Sequence, residues 1–202
     1  GYIIFNKVTG KGIIKDNIDR SILAKSKKID FEELNFFSQQ PTDNRNAVLD
    51  LNTMDLTIYG VQSIKISSVR DVIAFPTNNE VVVRKGRDFS MGGKLVAGSG
   101  GRFRINSESI DFNYEDFKLY FKDATTQIWI PNNRGEYNQK GDLVLEPIQS
   151  QIAISNGELL VDTNINKSGT WQKDYPQYPI IRSYDRSKVY YDDSNILGGV
   201  YD

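Results

Sequence analysis

Apolar residues alternate with polar ones over short stretches of this chain and then change phase. The change is clearest in two similar segments, LDLNTMDLTIYG at residues 49–60 and IDFNYEDFKLYF at residues 110–121. In each segment the apolar residues alternate with polar ones on both sides of a polar centre. They have odd residue numbers on one side of that centre and even residue numbers on the other. Because successive side chains of a strand face opposite sides of a sheet, this shift predicts a turn, corner or bulge between two short strands.

Turn-forming residues occupy the polar centre of both segments. The first segment has Asn52 and Asp55, and the second has Asn113 and Asp116. Asn and Asp side chains stabilise turns because they hydrogen-bond to nearby backbone groups. The acidic residues that could form a catalytic carboxylate pair are Asp50, Asp55, Asp111, Glu115 and Asp116. A catalytic pair is needed once, whereas these acids recur, so we interpret them as turn residues.

Further blocks of sequence match in the same order downstream. The matched pairs are VIAFPTNN (72–79) with QIWIPNN (127–133), Lys85-Gly86 with Lys140-Gly141, and GGKLVAG (92–98) with NGELLVD (156–162). Their shared order predicts tandem repeats of about 60 residues, each continuing the sheet of its neighbour.

The repeats lead to a specific expectation about the fold. Residues 49–96 and 110–161 should adopt the same order of strands. In that alignment Asp50 is equivalent to Asp111, and Pro76 is equivalent to Pro131.

The overall pattern predicts an all-β fold with a short helical insertion near the N-terminus. Helical spacing is confined to residues 17–38, where Ile18, Ile22 and Leu23 could line a short helix. The repeats fit a β-solenoid, an extended β-groove or a pseudo-symmetric sandwich. The predicted parts are a partial repeat end with a helix or loop insertion (1–46), a first β repeat (47–98), a second β repeat (99–163), and a Tyr- and Pro-rich cap or start of a further repeat (164–202).

Composition and charge exclude several classes of function. The chain has 202 residues, with 25 Lys and Arg against 26 Asp and Glu, so its net charge of -1 gives no basic field to attract nucleic acid. It has no apolar run of transmembrane length and does not begin with Met, so we expect a fragment of a larger protein. The lack of Cys and His excludes Cys nucleophiles, Ser-His-Asp triads and thiolate metal sites. We therefore expect no enzymatic activity, metal or cofactor.

Three further stretches lack the residue spacing that a calcium-binding or phosphate-binding motif requires. PTDNRN at 41–46 and YYDDSN at 190–195 offer oxygen ligands, but not in the D-x-D-x-D-G order of a calcium loop. MGGKLVAGSGG at 91–101 contains no phosphate-binding glycine motif. We interpret all three as turns.

Aromatic residues are concentrated in the C-terminal segment, between residues 171 and 201. Rings beside prolines can stack on sugars or anchor a protein interface. They can also cover the open end of a sheet as a cap, which is the interpretation we favour. If the segment binds a ligand, the candidate residues are Trp171, Tyr175, Tyr178, Tyr190 and Tyr191.

Three stretches resemble large, uncharacterised β-rich envelope proteins of Bacteroidetes-type bacteria. They are DFSMGGKLVAG (88–98), IDFNYEDFKLYF (110–121) and KDYPQYPIIRSYDRSKVYYDD (173–193). The strand-glycine-strand texture is also similar to the AsmA/TamB-type proteins, whose repeats form a long β-groove. These resemblances imply a cell-envelope location, periplasmic or surface-exposed, and a non-enzymatic role. The implied partners are neighbouring repeats of the parent protein and another envelope protein or a glycan.

The sequence thus predicts a non-enzymatic structural or binding module within a larger bacterial envelope or surface protein. Two alternatives stay open. One is a carbohydrate-active or carbohydrate-binding β-helix that uses pairs of Asp or Glu. The other is a lipid-conducting β-groove, although the charged and Asn-rich strands are less apolar than a lipid conduit requires.

Overall fold

The computed structural model describes the backbone and side chains of residues 34–39, 47–169 and 177–185. It also describes the backbone of five short strands outside these ranges. In chain order the strands are β1 (Tyr2–Asn6), β2 (Lys11–Lys15), β3 (Ser21–Ala24), β4 (Leu34–Ser38), β5 (Ala47–Leu49), β6 (Leu56–Tyr59), β7 (Val61–Ser67), β8 (Val72–Pro76), β9 (Glu80–Val83), β10 (Phe89–Ala97), β11 (Phe103–Asn113), β12 (Lys118–Pro131), β13 (Leu145–Leu160), β14 (Ile180–Ser183), β15 (Lys188–Tyr190) and β16 (Val200–Tyr201).

Fourteen of these strands form one antiparallel sheet, and β1 and β2 pair separately with each other. The predicted all-β fold is confirmed. The predicted N-terminal helix is wrong where the structure describes it, because Ile22 lies in β3 and Leu34 begins β4. In β4, Leu34, Phe36 and Ser38 are buried, an alternation with the period of a strand that pairs with β7. Ile18 lies outside the described residues.

The sheet divides at β10 and again at β13. The first part of β10 pairs with β9, which continues to β6 and β5, whereas its second part pairs with β8. The second part of β13 pairs with β14, and its first part pairs with β15. The sheet therefore has two halves, joined by β10 to β13. We call them the β9 half (β5, β6, β9 and β14) and the β8 half (β3, β4, β7, β8, β15 and β16).

The strands shared by the two halves change the parity of their inward side chains at one level. In β11 the inward side chains are those of Ile105 and Ser107 before the change and those of Ile110 and Phe112 after it. In β12 they are those of Leu119 and Phe121 before it and those of Ala124 and Thr126 after it. In β13 they are those of Ile152 and Ile154 before it and that of Leu159 after it. Backbone pairing aligns these changes, because Ser109 pairs with Lys122 and Lys122 pairs with Asn156.

A change of parity within a strand requires a bulge or a bend, so the whole sheet folds along this level. We call it the fold line and define it by residues 92–93, 107–109, 122–123 and 155–157.

Folding along this line brings the inward faces of the two halves into a single hydrophobic core. Phe36 of β4 meets Phe89 of β10 edge to face, with ring centroids 5.9 Å apart. Arg70, between β7 and β8, binds the buried carboxylate of Asp162 after β13, with N–O distances of 2.7 and 2.8 Å. This ion pair joins residues 92 positions apart in the chain and connects the two halves.

The two predicted repeats do not share an order of strands, so that prediction is wrong. Residues 47–98 contain six strands, whereas residues 99–163 contain three long ones. The later strands cross the fold line without interruption, but the earlier ones are broken beside it, at Gly60 and at residues 77–79. All the strands of residues 47–163 belong to one folded sheet and do not form a stack of equivalent units. The domain boundaries at these ranges stay a prediction.

Some local predictions made from the repeats are confirmed, although the predicted order of strands is not. A turn separates two paired strands in each of the opening segments, and Pro76 and Pro131 each end a strand, as predicted. The predicted equivalence of the acids is wrong, because Asp50 lies in the β5–β6 turn and Asp111 lies within β11.

Gly157 on the fold line has no room for a side chain. A Cβ atom there would lie 2.6 Å from Phe121 Cε2 and 2.7 Å from the carbonyl oxygen of Arg182. We expect Gly157→Ala to lower the free energy of unfolding by about 1 to 3 kcal/mol, as overpacking of a core does. Denaturant unfolding followed by circular dichroism measures this change.

Gly86→Ala is the matched control for that substitution. The nearest atom to a Cβ at Gly86 would be 3.5 Å away, in the side chain of Asp88. It should change the free energy of unfolding by less than about 0.5 kcal/mol. Equal effects of the two substitutions would contradict close packing at the fold line.

Candidate binding site

A row of polar side chains crosses the outer face of the β9 half, opposite the core. Asp111 of β11 pairs with Tyr120 of β12. Tyr120 in turn pairs with Glu158 of β13, which pairs with Arg182 of β14. Directly paired residues place their side chains on the same face of a sheet. The neighbouring Leu119 is buried in the core, so the row faces away from it.

Glu158 is the centre of this row. Only 4% of its surface is exposed, and three side chains donate to its carboxylate. The donors are Lys118 Nζ at 3.2 Å, Arg182 Nη1 at 3.4 Å and Tyr184 Oη at 2.8 Å. A buried carboxylate is costly unless it is paired, so these donors allow Glu158 to keep its charge.

The same contacts shift the pKa values of Glu158 and two tyrosines. Burial alone would raise the pKa of Glu158, but the hydrogen bonds from Tyr184 and Lys118 outweigh it, and the pKa lies below its ordinary value. Burial, followed by the hydrogen bond to Glu158, raises the pKa of Tyr184 to about 12. Burial, followed by a neighbouring carboxylate, raises the pKa of Tyr120. All three groups therefore keep one protonation state near neutral pH.

A shallow depression with a volume of about 160 Å³ lies beside the row, where the fold line crosses β12 and β13. Its lining consists of Asp111, Tyr120, Lys122, Asn156 and Tyr184, completed by Phe121 and Gly157. Two of these residues belong to the row and three to the fold line. Side chains on the outer face of a bend diverge, which leaves space between them.

The two tyrosines at the depression are held by the protein. The hydroxyl of Tyr120 donates to Asp116 at 3.1 Å, and that of Tyr184 donates to Glu158 at 2.8 Å. Although Tyr184 is 59% exposed, its hydroxyl is therefore fixed. What these residues can offer a ligand is the carbon surface of their rings and the remaining acceptor capacity of their hydroxyl oxygens.

Two charged side chains line the depression, those of Asp111 and Lys122. Within the described residues, neither the Asp111 carboxylate nor the Lys122 ammonium group forms an ion pair or a hydrogen bond. The Nδ2 atom of Asn156 donates to Asp185 at 2.8 Å, which leaves the amide oxygen as an acceptor. The site thus presents two acceptors and one donor next to two fixed rings.

Only one of the aromatic residues predicted as ligand contacts has a described side chain. Tyr178 is half-buried, and its ring centroid lies 5.9 Å from the guanidinium carbon of Arg70. Tyr190 lies in β15, whose side chains are not described. The remaining candidates outside the described residues are Trp171, Tyr175 and Tyr191. Whether these aromatics bind a ligand or form a cap stays a prediction.

None of the residues that line the depression was predicted from the sequence as a ligand contact. Tyr184 lies in the Tyr-rich segment but was not singled out, and Asp111 was interpreted as a turn residue. The turn role holds for Asp50, whose carboxylate accepts from the amide of Asn52 at 2.7 Å. Apolar and polar residues alternate strictly around Tyr120, which places its side chain on the polar face of the sheet. This alternation is the feature of the sequence that could have indicated the site.

Comparison with known proteins does not identify a family. No family model, no curated protein and no solved structure matches the chain. In the described ranges, no helix has the length and apolar character needed to cross a membrane. Within the same residues, no group of three or more His, Cys, Asp or Glu side chains could hold a metal ion. A proposal for the function must therefore be based on the geometry of the depression.

The raised pKa of Tyr184 predicts a loss of stability at high pH. Its folded pKa of about 12 lies above the ordinary 10.0, so between these pH values the folded state keeps a proton that the unfolded state releases. The contribution of Tyr184 is thus complete below pH 10.0 and is lost as the pH rises towards 12. Denaturation curves over this range should show a smaller loss for Tyr184→Phe than for the unaltered protein. An identical pH dependence of the two proteins would count against this contact.

The lowered pKa of Glu158 predicts the opposite behaviour in acid. Its contribution to stability is complete above its ordinary pKa of 4.5 and is lost as the pH falls through its lower folded pKa. At neutral pH, Glu158→Gln should lower the free energy of unfolding by about 1 to 3 kcal/mol, because Lys118 and Arg182 lose their shared carboxylate.

The control for this substitution is Glu146→Gln, at an exposed position of β13 outside the row. It should change the free energy of unfolding by less than about 0.5 kcal/mol at neutral pH. Acid unfolding that is equally steep in Glu158→Gln and in the unaltered protein would show that the carboxylate does not contribute as described.

Proposed function

We propose that the chain is a non-enzymatic binding module of a larger bacterial envelope protein, and that the depression is its ligand site. The observation that carries this proposal is the pair of opposite charges of Asp111 and Lys122, which have no partner among the described residues and lie beside two fixed rings. A concave surface with a few convergent polar groups is the usual form of a small-molecule site. Charges without a partner among the described residues can pair with groups of a ligand.

The state of Glu158 argues against a role for this residue as a catalytic acid. Acid catalysis by a carboxyl pair needs one carboxyl whose pKa is raised, so that it holds a proton at neutral pH. The pKa of Glu158 is lowered instead, and three donors occupy its carboxylate. Glu158 acts here as the support that positions the ring of Tyr184.

A structural role in the same larger protein is the second candidate. The ion pair between Arg70 and Asp162 ties the two halves together, and a Cβ atom on Gly169 would lie 2.7 Å from Val69 Cβ. Such close contacts between the two halves are what a structural module that separates neighbouring parts of a larger protein would need. The envelope location rests on the resemblance of residues 88–98, 110–121 and 173–193 alone.

A fragment screen by NMR tests the binding proposal. Amide spectra of the isotopically labelled protein, recorded with a library of small polar fragments, should change mainly at the residues lining the depression. Tyr184→Ala removes one ring and should abolish those changes. Its matched control is Tyr137→Ala, at a tyrosine that is 67% exposed and lies away from the depression, which should preserve them.

The spectra also show whether each variant is folded. Lys122→Met provides a second test at the same site with little risk to the fold, because Lys122 is exposed. Amide shifts scattered over the surface, or confined to another part of the chain, would rule out the depression as the ligand site.

A further inference from the structure

We propose that the depression binds one neutral sugar ring, as part of a glycan chain. This inference rests on the proposed binding function and adds the chemical class of the ligand to it. It depends on three properties of the site: the polar groups left free, the balance of charge, and the two rings with the space between them.

The polar groups left free at the depression match the hydroxyls of a sugar. The Asp111 carboxylate can only accept hydrogen bonds, and the Lys122 ammonium group can only donate them. Asn156 adds a further acceptor, because its amide nitrogen is engaged by Asp185. A ligand that satisfies all of them must carry donors and acceptors close together. Every hydroxyl is both, so neighbouring ring hydroxyls meet this requirement.

The balance of charge favours a ligand without net charge. Asp111 and Lys122 contribute one charge of each sign to the lining. Around it, the positive charges of Lys118 and Arg182 are set against three carboxylates, those of Glu158, Asp116 and Asp185. An anion would be attracted by Lys122 but repelled by Asp111, and a cation would meet the reverse. A neutral ligand avoids this opposition.

Tyr120 and Tyr184 supply the apolar contact that a sugar ring also needs. Because both hydroxyls already donate to protein carboxylates, the tyrosines can offer a ligand their rings and the remaining acceptor capacity of their hydroxyl oxygens. Aromatic rings combine a large apolar area with a polar tip, and the carbon-hydrogen face of a pyranose packs on such a surface. The rings are fixed before binding, so little further ordering opposes it.

The size of the depression limits the ligand to one ring. Its volume of about 160 Å³ is well below the roughly 300 to 1,000 Å³ of sites that enclose drug-sized molecules. The rest of a glycan chain would therefore lie outside it. We expect a dissociation constant of about 1 to 10 mM for a single sugar, with tighter binding only where several modules act together.

NMR titration with defined sugars tests the ligand class. The probes are the methyl glycosides of glucose, galactose and mannose, together with N-acetylglucosamine. At least one should shift the amides around Lys122 and Asn156 in a saturable way. Asp111→Asn and Lys122→Met should each weaken its binding about tenfold, the effect of losing one charge-assisted hydrogen bond. Lys94→Met, at an exposed lysine of β10 outside the depression, should leave the affinity unchanged.

A zwitterionic probe separates sugar binding from peptide binding. Glycylglycine carries opposite charges that could pair with Asp111 and Lys122, and tighter binding of this dipeptide than of every sugar would overturn the sugar proposal. So would the absence of shifts with all four sugars when fragments from the general screen do bind at the depression. In both cases the proposed binding function survives. If neither sugars nor fragments bind there, both proposals fail.

Discussion

The bend along the fold line is the constraint on which both the core and the candidate site depend. A sheet with one apolar face must bury that face, and this sheet does so by folding onto itself. The bend is possible only because β11, β12 and β13 change their inward parity at the same level. If one strand changed at another level, part of its apolar set would face water. The register of these three strands therefore decides whether the sheet can close over its core.

Small residues and one hydroxyl group make the bend chemically possible. A Cβ atom on Gly93 would lie 2.1 Å from the carbonyl oxygen of Phe75, so the strands approach more closely there than a side chain permits. Ser107 accepts a hydrogen bond from the amide of Ser109 at 3.1 Å and donates to the carbonyl oxygen of Lys122. The interrupted ladder thus keeps its polar groups paired, as a partly buried bulge must.

Local patterns in the sequence predicted the structure well, and long-range pairing could not be read from it. The β5–β6 and β11–β12 turns were predictable because a parity shift and Asn or Asp occur within a few residues. The spacing of Ile18 and Ile22 also fits a helix, and only the distant strand β7, through its pairing with β4, decides that this region contains strands. Likewise, Asp111 and Tyr120 are joined by one hairpin, but nothing local indicates that Glu158 and Tyr184 lie beside them.

The need to compensate Glu158 links the edge of the sheet to the candidate site. Its carboxylate is almost fully buried, yet it lies on the polar face, so its donors must come from strands on both sides. Lys118 comes from β12 and Arg182 from β14, while Tyr184 follows β14 directly. The side-chain contacts of Glu158 thus add to the backbone ladder between β13 and β14 and also fix a ring of the depression. Because one carboxylate serves both purposes, a change that releases the ring also weakens the attachment of the edge strand.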